Sequence, residues 1–237
     1  HGGLVWIGLE YRYMSPIQSL IKHIEEIGDI RMLSIREHRF PFLEKVDNWN
    51  RFNENTGGTL VEKCCHFFDL MNLIVPSKPI KVYASGGQDV NHLDEKYDGK
   101  TPDIIDNSFV IVDYQDGQRA MLDLCMFAEA GKYEQEIVLT GDQGKLETHI
   151  PGNELLLTNR KNYSLKTIEV KDDPRVKEVG FHHGASYIEH LELIDCIKNK
   201  KKPLVDCQKG LDSIILGLAA QESIQTGEPV FLENFLN

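Results

Sequence analysis

The first third of the chain alternates between short apolar segments and polar loops. An apolar run predicts a strand, and Ser15 with Pro16 behind it is typical of a helix start, because proline tolerates the first helical position. Alternating residues predict a second strand, and a polar loop then leads into a helix that is apolar on nearly all sides, which predicts burial. The predicted strand, helix, strand and buried helix cover 4–9, 16–27, 30–40 and 57–74.

The middle of the chain is a succession of strands with turn signals between them. Asp116-Gly117 and Pro151-Gly152-Asn153 are typical hairpin links, and strands joined by tight turns must be antiparallel neighbours. The predicted strands are 81–85, 108–114, 119–126, 134–140, 145–149, 154–157 and 165–170. Two helices are expected afterwards, at 184–199 and 208–226. We therefore predict an α+β fold with a large, open-faced, mainly antiparallel sheet and helices on one face.

One stripe of the buried helix carries ionisable side chains. Glu62, His66 and Asp69 follow each other at intervals of four and three, so an ideal helix places them within about 60° of each other. Ionisable groups on a buried helix cost free energy unless they are paired or lie at a cleft, which makes the stripe a candidate active site. The alternative is a core network in which a carboxylate merely orients His66. The residue types favour the two interpretations about equally.

Composition restricts the class of protein. The 237 residues suffice for one large domain or two small ones, and a net charge of -11 argues against nucleic acid and anionic membranes as partners. No apolar run of membrane length and no signal peptide is visible, and five cysteines, two of them adjacent, do not resemble a disulfide framework. We expect a soluble, cytoplasmic protein. The start at His1 without a methionine favours a piece cut from a larger protein.

Two other kinds of site find little support in the residue spacing. The segment 141–145 looks superficially like a Walker loop, but it is short, lacks a following Ser or Thr, and lies between two strands, so it is a hairpin. Cys64, Cys65 and His66 suggest zinc. Adjacent helical residues point about 100° apart, however, so these three cannot easily share one ion, and further ligands would have to come from distant histidines or cysteines.

Several motifs together resemble a known family. They occur in matching order and spacing at 10–16, at Gly57-Gly58 with the Glu62–His66–Asp69 stripe, at Tyr187 and at 227–230. They resemble the C-terminal domain of the Gfo/Idh/MocA family, which includes glucose–fructose oxidoreductase and inositol dehydrogenase. The resemblance covers nearly the whole chain, so the predicted domain is 1–237. It implies an open-faced sheet like that of the dihydrodipicolinate reductase C-terminal domain. In the family this domain binds substrate, and its open face is expected to form the oligomer, a dimer or tetramer. It also implies an N-terminal Rossmann domain for NAD or NADP that these residues lack.

The chain departs from the family motif at two positions. The usual helix motif has Asp where Glu62 stands and Gly where Cys64 stands, while His66 and Asp69 match. Glu for Asp keeps the charge and lengthens the reach, and Cys for Gly blocks close approach of a backbone or ligand. The family's catalytic lysine lies in a Glu-Lys-Pro motif of the Rossmann domain. No such motif occurs here, and Lys63 is expected to point about 100° away from the stripe, so the chain alone is expected to be inactive.

The resemblance implies oxidation of a secondary alcohol in a sugar or polyol by hydride transfer. His66 is the best candidate for the base, because an unperturbed imidazole has a pKa near neutrality, and Glu62 would hold its tautomer or bind a hydroxyl. For Asp69 a structural brace is favoured over catalysis. The expected substrate-binding residues are Arg12, Tyr13, Trp49, Asn50, Asp69, His183 and Tyr187.

Two other functions stay open. The domain could be a non-catalytic binding or assembly module that kept the fold, or a metal-dependent hydrolase built on His66 and Glu62. An upstream Gly-rich fingerprint with a Glu-Lys-Pro motif distinguishes the first from a dehydrogenase, and elemental analysis for zinc or manganese distinguishes the second. The residues that choose between NAD and NADP are absent from the sequence, and the substrate cannot be named beyond its class.

Overall fold

A single nine-stranded sheet runs through the molecule. The computed structural model describes residues 3–235. The strand order is β8-β7-β6-β5-β1-β4-β3-β2-β9, which confirms the predicted open sheet in an α+β fold. The strands are β1 Ile30–His38, β2 Pro79–Gly87, β3 Asn107–Tyr114, β4 Arg119–Cys125, β5 Gln135–Gly141, β6 Gly144–Ile150, β7 Glu154–Asn159, β8 Ser164–Glu169 and β9 Val230–Phe231.

The sheet is antiparallel except at its centre. β1 lies between β5 and β4, antiparallel to the first and parallel to the second. The remaining neighbours also pair antiparallel, and tight turns join β3 to β4 and link β5, β6, β7 and β8 in sequence, whereas the longer segment 88–106 links β2 to β3. β1 therefore joins two meanders, β2–β4 and β5–β8, that follow it in the sequence.

The helices cover one face of the sheet. Six α-helices are present in the described residues, namely α1 Ser15–Lys22, α2 Asn53–Thr56, α3 Thr59–Glu62, α4 Cys65–Ile74, α5 Ala185–Asn199 and α6 Cys207–Thr226, together with short 3-10 segments at Glu10–Tyr13, Ile24–Ile27, Val46–Arg51 and Leu232–Asn234. α6 packs on both α4 and β2, and α1 packs on β6. Burial alternates along the central strands, so their inner residues join the helices in one core. No helix within 3–235 is long and apolar enough to cross a bilayer.

Three predicted elements differ from the observed ones. The helix predicted over 16–27 is interrupted at His23, which separates α1 from the 3-10 segment Ile24–Ile27. The strand predicted at 4–9 is wrong: this segment forms no strand ladder, and Ile7 N–H donates to the carbonyl of Val205 instead. The single helix predicted over 57–74 is wrong as well, since a turn at Lys63 and Cys64 separates α3 from α4. At that turn Cys64 N–H donates to the carbonyl of Thr59, five residues back, which interrupts the regular helical ladder. The interruption changes which side chains α4 presents.

A close helix–helix contact fixes where this turn lies. Gly217 of α6 faces the backbone of α3, and a Cβ added there would lie 2.5 Å from the carbonyl oxygen of Leu60. Gly58, with φ +86°, begins α3 in a conformation that favours glycine. Both glycines let α3 approach α6 closely, and this holds the following turn and α4 against the sheet.

Candidate active site

His66 lies in the first turn of α4, where the preceding turn directs it toward the 3-10 segment Glu10–Tyr13. Its Nδ1 is 3.4 Å from Oε2 of Glu10, and its ring centroid is 5.2 Å from that of Tyr11. Nδ1 is buried and has no hydrogen-bond partner in the structure. The imidazole is therefore enclosed on its Nδ1 side, and Nε2 is the nitrogen that can meet a substrate hydroxyl.

Glu10 lies between two histidines. Its Oε2 faces His66, and its Oε1 is 3.6 Å from Nε2 of His182 in the loop before α5. His182 is exposed, and its Nδ1 is 2.9 Å from Oγ of Ser186. The carboxyl group thus connects a buried imidazole with one at the surface.

Lys63 contributes a positive charge to the same cluster. Its Nζ donates to the hydroxyl of Tyr11 at 3.1 Å and lies 3.2 Å from Oε1 of Glu37. The ammonium also lies over the rings of Tyr11 and Phe67, at 5.2 and 5.4 Å from their centroids. Contrary to the sequence-based expectation, Lys63 belongs to the surroundings of His66, because the helix is interrupted at this residue and its long side chain reaches Tyr11.

Glu37 is the fully buried counter-charge of this cluster. It extends from the inner side of β1 and is 0% exposed. Gln135, its register partner on β5, donates from Nε2 to Oε2 at 2.5 Å, and Nη1 of Arg39 lies 3.5 Å from Oε1. A buried carboxylate requires such partners, so the strand ends hold the negative charge that keeps Lys63 in place.

The electrostatic environment strongly favours the neutral form of His66. Burial, the charge of Lys63 and that of His182 lower the pKa of His66 from 6.5 to about 3. Burial raises the pKa of Glu10, although its backbone hydrogen bond and Lys63 oppose this. For Lys63, burial alone would lower the pKa, but the Glu37 carboxylate raises it above the ordinary value. The cluster therefore combines a fixed cation with a neutral imidazole, which differs from the near-neutral pKa that the sequence suggests.

Arg12 and Asp69, both predicted to meet substrate, bind each other. Nε and Nη2 of Arg12 donate to the two carboxylate oxygens of Asp69, each at 2.5 Å, and both side chains are buried. A bidentate pair of this kind satisfies both groups and ties the 3-10 segment to α4. Asp69 has the geometry of the brace that the sequence analysis favours for it.

Glu62 and Trp49 lie on the other side of the turn. Nζ of Lys45 donates to Oε1 of Glu62 at 2.6 Å and lies 5.0 Å from the ring centroid of Trp49. The structure records no bond between Glu62 and His66. The predicted Glu62–His66 pair is therefore not formed in this structure, because the turn after α3 separates the two side chains.

The remaining predicted residues are dispersed around the cluster. Asn50 is buried and donates to the carbonyl of Leu43, while the hydroxyl of Tyr13 is buried without a partner. His183 is exposed, with φ +51°, and Tyr187 is half-buried on α5. Among the described residues, none of these four makes a hydrogen bond, ion pair or ring contact with His66.

Sequence reasoning missed much of the cluster. Glu10, Tyr11, Glu37, Lys63 and Gln135 were not selected as site residues. For Glu37 a signal exists, since it shares the parity of the inner residues Leu33 and Ile35 of β1. A charged residue at a core-facing strand position requires a partner, and this indicates a buried polar cluster.

A large cavity lies elsewhere. A half-open space of about 990 Å³ between α1, α5 and the segment 168–175 is lined by Tyr13 but by neither His66 nor Glu62. Its lining mixes basic and acidic side chains with no convergent reactive group. The histidine cluster is the better candidate site, because it concentrates the buried ionisable groups.

The described residues do not supply a dinucleotide or metal site. Dinucleotides bind where a parallel strand, a Gly-rich turn and a helix N-terminus meet. Within residues 3–235 the one parallel pair is β1 with β4, and β1 leads into a loop rather than directly into a crossover helix. In the same part of the chain, no group of three His, Cys, Asp or Glu is placed to hold a metal ion.

Comparisons with known proteins agree with this fold. A family model described as "Oxidoreductase family, C-terminal alpha/beta domain" matches residues 21–232. The myo-inositol 2-dehydrogenase of Thermotoga maritima is 25% identical over 185 residues, which is 76% of this chain and 51% of that enzyme. An uncharacterized oxidoreductase of Bacillus subtilis, YrbE, is 25% identical over 99% of this chain and 64% of its own length. The chain therefore spans about half to two thirds of these curated relatives.

Solved structures show the same fold. A levoglucosan dehydrogenase, in a complex with NADH and levoglucosan, superposes with a TM-score of 0.80 and 15% identity, covering 97% of this chain and 66% of that one. At this identity the likeness shows the fold alone. The shared architecture is the open sheet with its helices on one face.

Proposed function

The chain belongs to the Gfo/Idh/MocA oxidoreductase family as a C-terminal α/β domain, and from this premise we propose that it is the substrate-binding part of a dehydrogenase. The observation that carries the proposal is the buried cluster around His66. A neutral imidazole with one nitrogen free to meet a hydroxyl is the group that alcohol oxidation needs as a proton acceptor. Residues of this chain would accept that proton and lead it away from the substrate.

The substrate class follows from the relatives. One curated relative carries the name myo-inositol 2-dehydrogenase, and a structural relative is a levoglucosan dehydrogenase. Both names refer to compounds rich in secondary alcohols. This supports a sugar, a polyol or a related secondary alcohol as the substrate of the protein to which this chain belongs.

The proposed cofactor is NAD or NADP. The relative solved with NADH supports a nicotinamide, and the described residues lack a dinucleotide site, so a further N-terminal domain is the proposed holder of the cofactor. When bound, the nicotinamide supplies the acceptor for the hydride. This chain binds and orients the alcohol, excludes water through its buried helix, and handles the proton.

Two further properties belong to the proposal. An acidic chain with five free cysteines supports the cytoplasm as its location, because thiols are kept reduced there. The open face of the sheet carries large exposed apolar residues, and this supports a homo-oligomer formed through that face.

The complete gene product provides the test. Reduction of NAD and of NADP is followed by nicotinamide absorbance with myo-inositol, levoglucosan and common aldoses as substrates. We expect turnover of at least one of them, and we expect His66→Ala to lower kcat by about 100-fold or more while cofactor binding persists. His190→Ala, on the exposed side of α5, is the matched control and should keep wild-type turnover.

The outcomes separate the candidate functions. Turnover that is lost only in His66→Ala supports the dehydrogenase. Cofactor binding without turnover on any of these alcohols contradicts the substrate class. A protein that binds no nicotinamide contradicts the proposal and favours a non-catalytic module.

A further inference from the structure

We propose that Glu10 connects His66 to solvent through His182, so that the three side chains form a proton relay. The inference rests on the proposed function, since the relay serves the proton that alcohol oxidation releases. It adds Glu10 as the group that takes the proton from His66, and His182 as the exit of the relay. The proton acceptor of the substrate hydroxyl remains His66.

The distances and burial define a single direction. Nδ1 of His66 lies 3.4 Å from one oxygen of Glu10, and Nε2 of His182 lies 3.6 Å from the other. The side chains of His66 and Glu10 are 17% and 10% exposed, and that of His182 is 49% exposed. The row therefore runs from an enclosed imidazole, through an enclosed carboxyl group, to an imidazole in contact with water. Contacts of this length are common in unliganded active sites and shorten when substrate binds.

The hydrogen-bond partners indicate which ring nitrogen of each histidine donates a proton and which accepts one. If Nδ1 of His182 donates to Oγ of Ser186 at 2.9 Å, its Nε2 is left as an acceptor facing Glu10. Nδ1 of His66 is buried with no hydrogen-bond partner, and the Glu10 carboxyl is the acceptor within reach. An N–H left unpaired in such a place is costly, and this favours closure of the contact to Glu10.

The relay moves one proton from the alcohol to water, and Glu10 carries no charge at any stage. The O–H bond of the alcohol breaks and its proton bonds to Nε2 of His66; an oxidised nicotinamide, when bound, would accept the hydride from the C–H bond. The proton on Nδ1 of His66 moves to Oε2 of Glu10, and the proton on Oε1 of Glu10 moves to Nε2 of His182. Glu10 stays a neutral acid throughout, and His182 becomes the cation and releases one proton to water.

The charges around the row favour this direction. Burial and the positive charge of Lys63 lower the pKa of His66 to about 3, so a proton held there is unfavourable and passes on. Burial raises the pKa of Glu10, which favours the protonated acid that the relay needs. Burial, Lys63 and Arg39 lower the pKa of His182, while Glu189 opposes this shift. Exposure lets His182 lose its proton to water at once.

Glu10→Gln in the complete protein is the first variant. A glutamine keeps the size of the side chain but cannot carry a proton between its two ends. We expect kcat to fall by about 10- to 100-fold with KM nearly unchanged. Glu147→Gln is the control: the carboxyl of Glu147 lies on the open face of β6 and pairs with Nζ of Lys145 at 2.7 Å, and its replacement should leave kcat unchanged.

His182→Ala tests the exit of the relay at an exposed position where folding is not at risk. We expect a similar fall in kcat, and added imidazole in the buffer should restore much of it by taking the vacated place. A merely structural role of His182 predicts no rescue. An unchanged kcat, or a loss that imidazole does not restore, overturns the relay.

Nitrogen NMR of ¹⁵N-histidine in the same protein gives a readout independent of turnover. Glu10→Gln should shift the signals of both His66 and His182, assigned with the alanine variants, and Glu147→Gln should shift neither. If Glu10→Gln leaves both signals and kcat unchanged while His66→Ala is inactive, the relay is wrong and the dehydrogenase stands. If the wild type oxidises none of the alcohols, the proposed function fails and the relay with it.

Discussion

At the scale of single residues, a buried imidazole next to a buried ammonium takes up a proton only at a large electrostatic cost. His66 and Lys63 are in this position, and Glu37 balances the ammonium rather than the imidazole. His66 therefore acts as a neutral acceptor that passes its proton on. The same imbalance affects the stability of the protein.

The pH dependence of unfolding tests this imbalance. The folded pKa of His66 is lowered to about 3, whereas an unfolded histidine titrates near 6.5, so the unfolded state binds the extra proton between these values. The free energy of unfolding should therefore decrease as the pH falls from about 6.5 toward 3, by up to about 1.4 kcal/mol per pH unit from this residue. Urea unfolding of the wild type and of His66→Gln at several pH values measures the difference.

The control for this measurement is His190→Gln, at an exposed position of α5. It should retain the pH dependence of the wild type, while His66→Gln should show a flatter one. Parallel curves for the wild type and His66→Gln contradict the neutral, buried imidazole.

The sequence predicted only some of the residues in this cluster. His66 stood out because a histidine on an apolar helix is unusual. Glu10 did not, because its neighbours at 11–13 gave no periodicity that would place it opposite His66. Lys63 was excluded on ideal helix angles, which do not apply at an interrupted turn. Residue types indicated the chemistry, but the partners depended on local backbone geometry.

At the scale of elements, the strands of the two meanders were predictable because turn residues separate them. The predicted strands between 108 and 157 agree with β3 to β7 to within two residues at each end. The position of β1 was not predictable, since alternation shows which face a strand buries and not which strands it pairs with. The short β9 was missed because two residues carry no period.

The contact between α3 and α6 is the element-scale feature that positions the site. A Cβ at Gly217 would meet the carbonyl oxygen of Leu60 at 2.5 Å, and a backbone atom cannot move aside cheaply. We expect Gly217→Ala to destabilise the protein by about 1–3 kcal/mol, although alanine favours helices by about 1 kcal/mol elsewhere. Urea unfolding measures this change.

Glu222→Ala, at an exposed position of the same helix, is the matched control and should alter stability by less than about 0.5 kcal/mol. A shifted α3 in Gly217→Ala should also lower turnover, because the turn before His66 moves with it. If Gly217→Ala is as stable as the control, α3 and α6 leave room for a Cβ at this position, and the close contact between them does not fix the turn.

At the scale of the whole molecule, the open face of the sheet exposes large apolar side chains. Tyr83, Phe109 and Ile111 on β2 and β3 are exposed there, and Tyr83 and Ile111 are cross-strand partners. Contiguous apolar residues on one sheet face are typical of an interface. We expect Phe109→Glu to reduce the mass of the protein in light scattering from that of an oligomer to that of a monomer.

Leu211→Glu, an exposed apolar residue on the helical side, serves as the control and should leave the mass unchanged. A monomeric wild type, or an equal mass for the wild type and Phe109→Glu, contradicts assembly through the sheet face. Loss of mass in both variants would point to general unfolding, which circular dichroism detects.

The central place of β1 also governs how the molecule can be made. β1 precedes both of its neighbours, and β4 and β5 lie in the second half of the chain. During synthesis on the ribosome, β1 leaves the exit tunnel long before either partner exists, while each meander can pair from local hairpins as it emerges. Completion of the sheet, and with it the burial of Glu37 under Lys63, is therefore a late event in the life of the nascent chain.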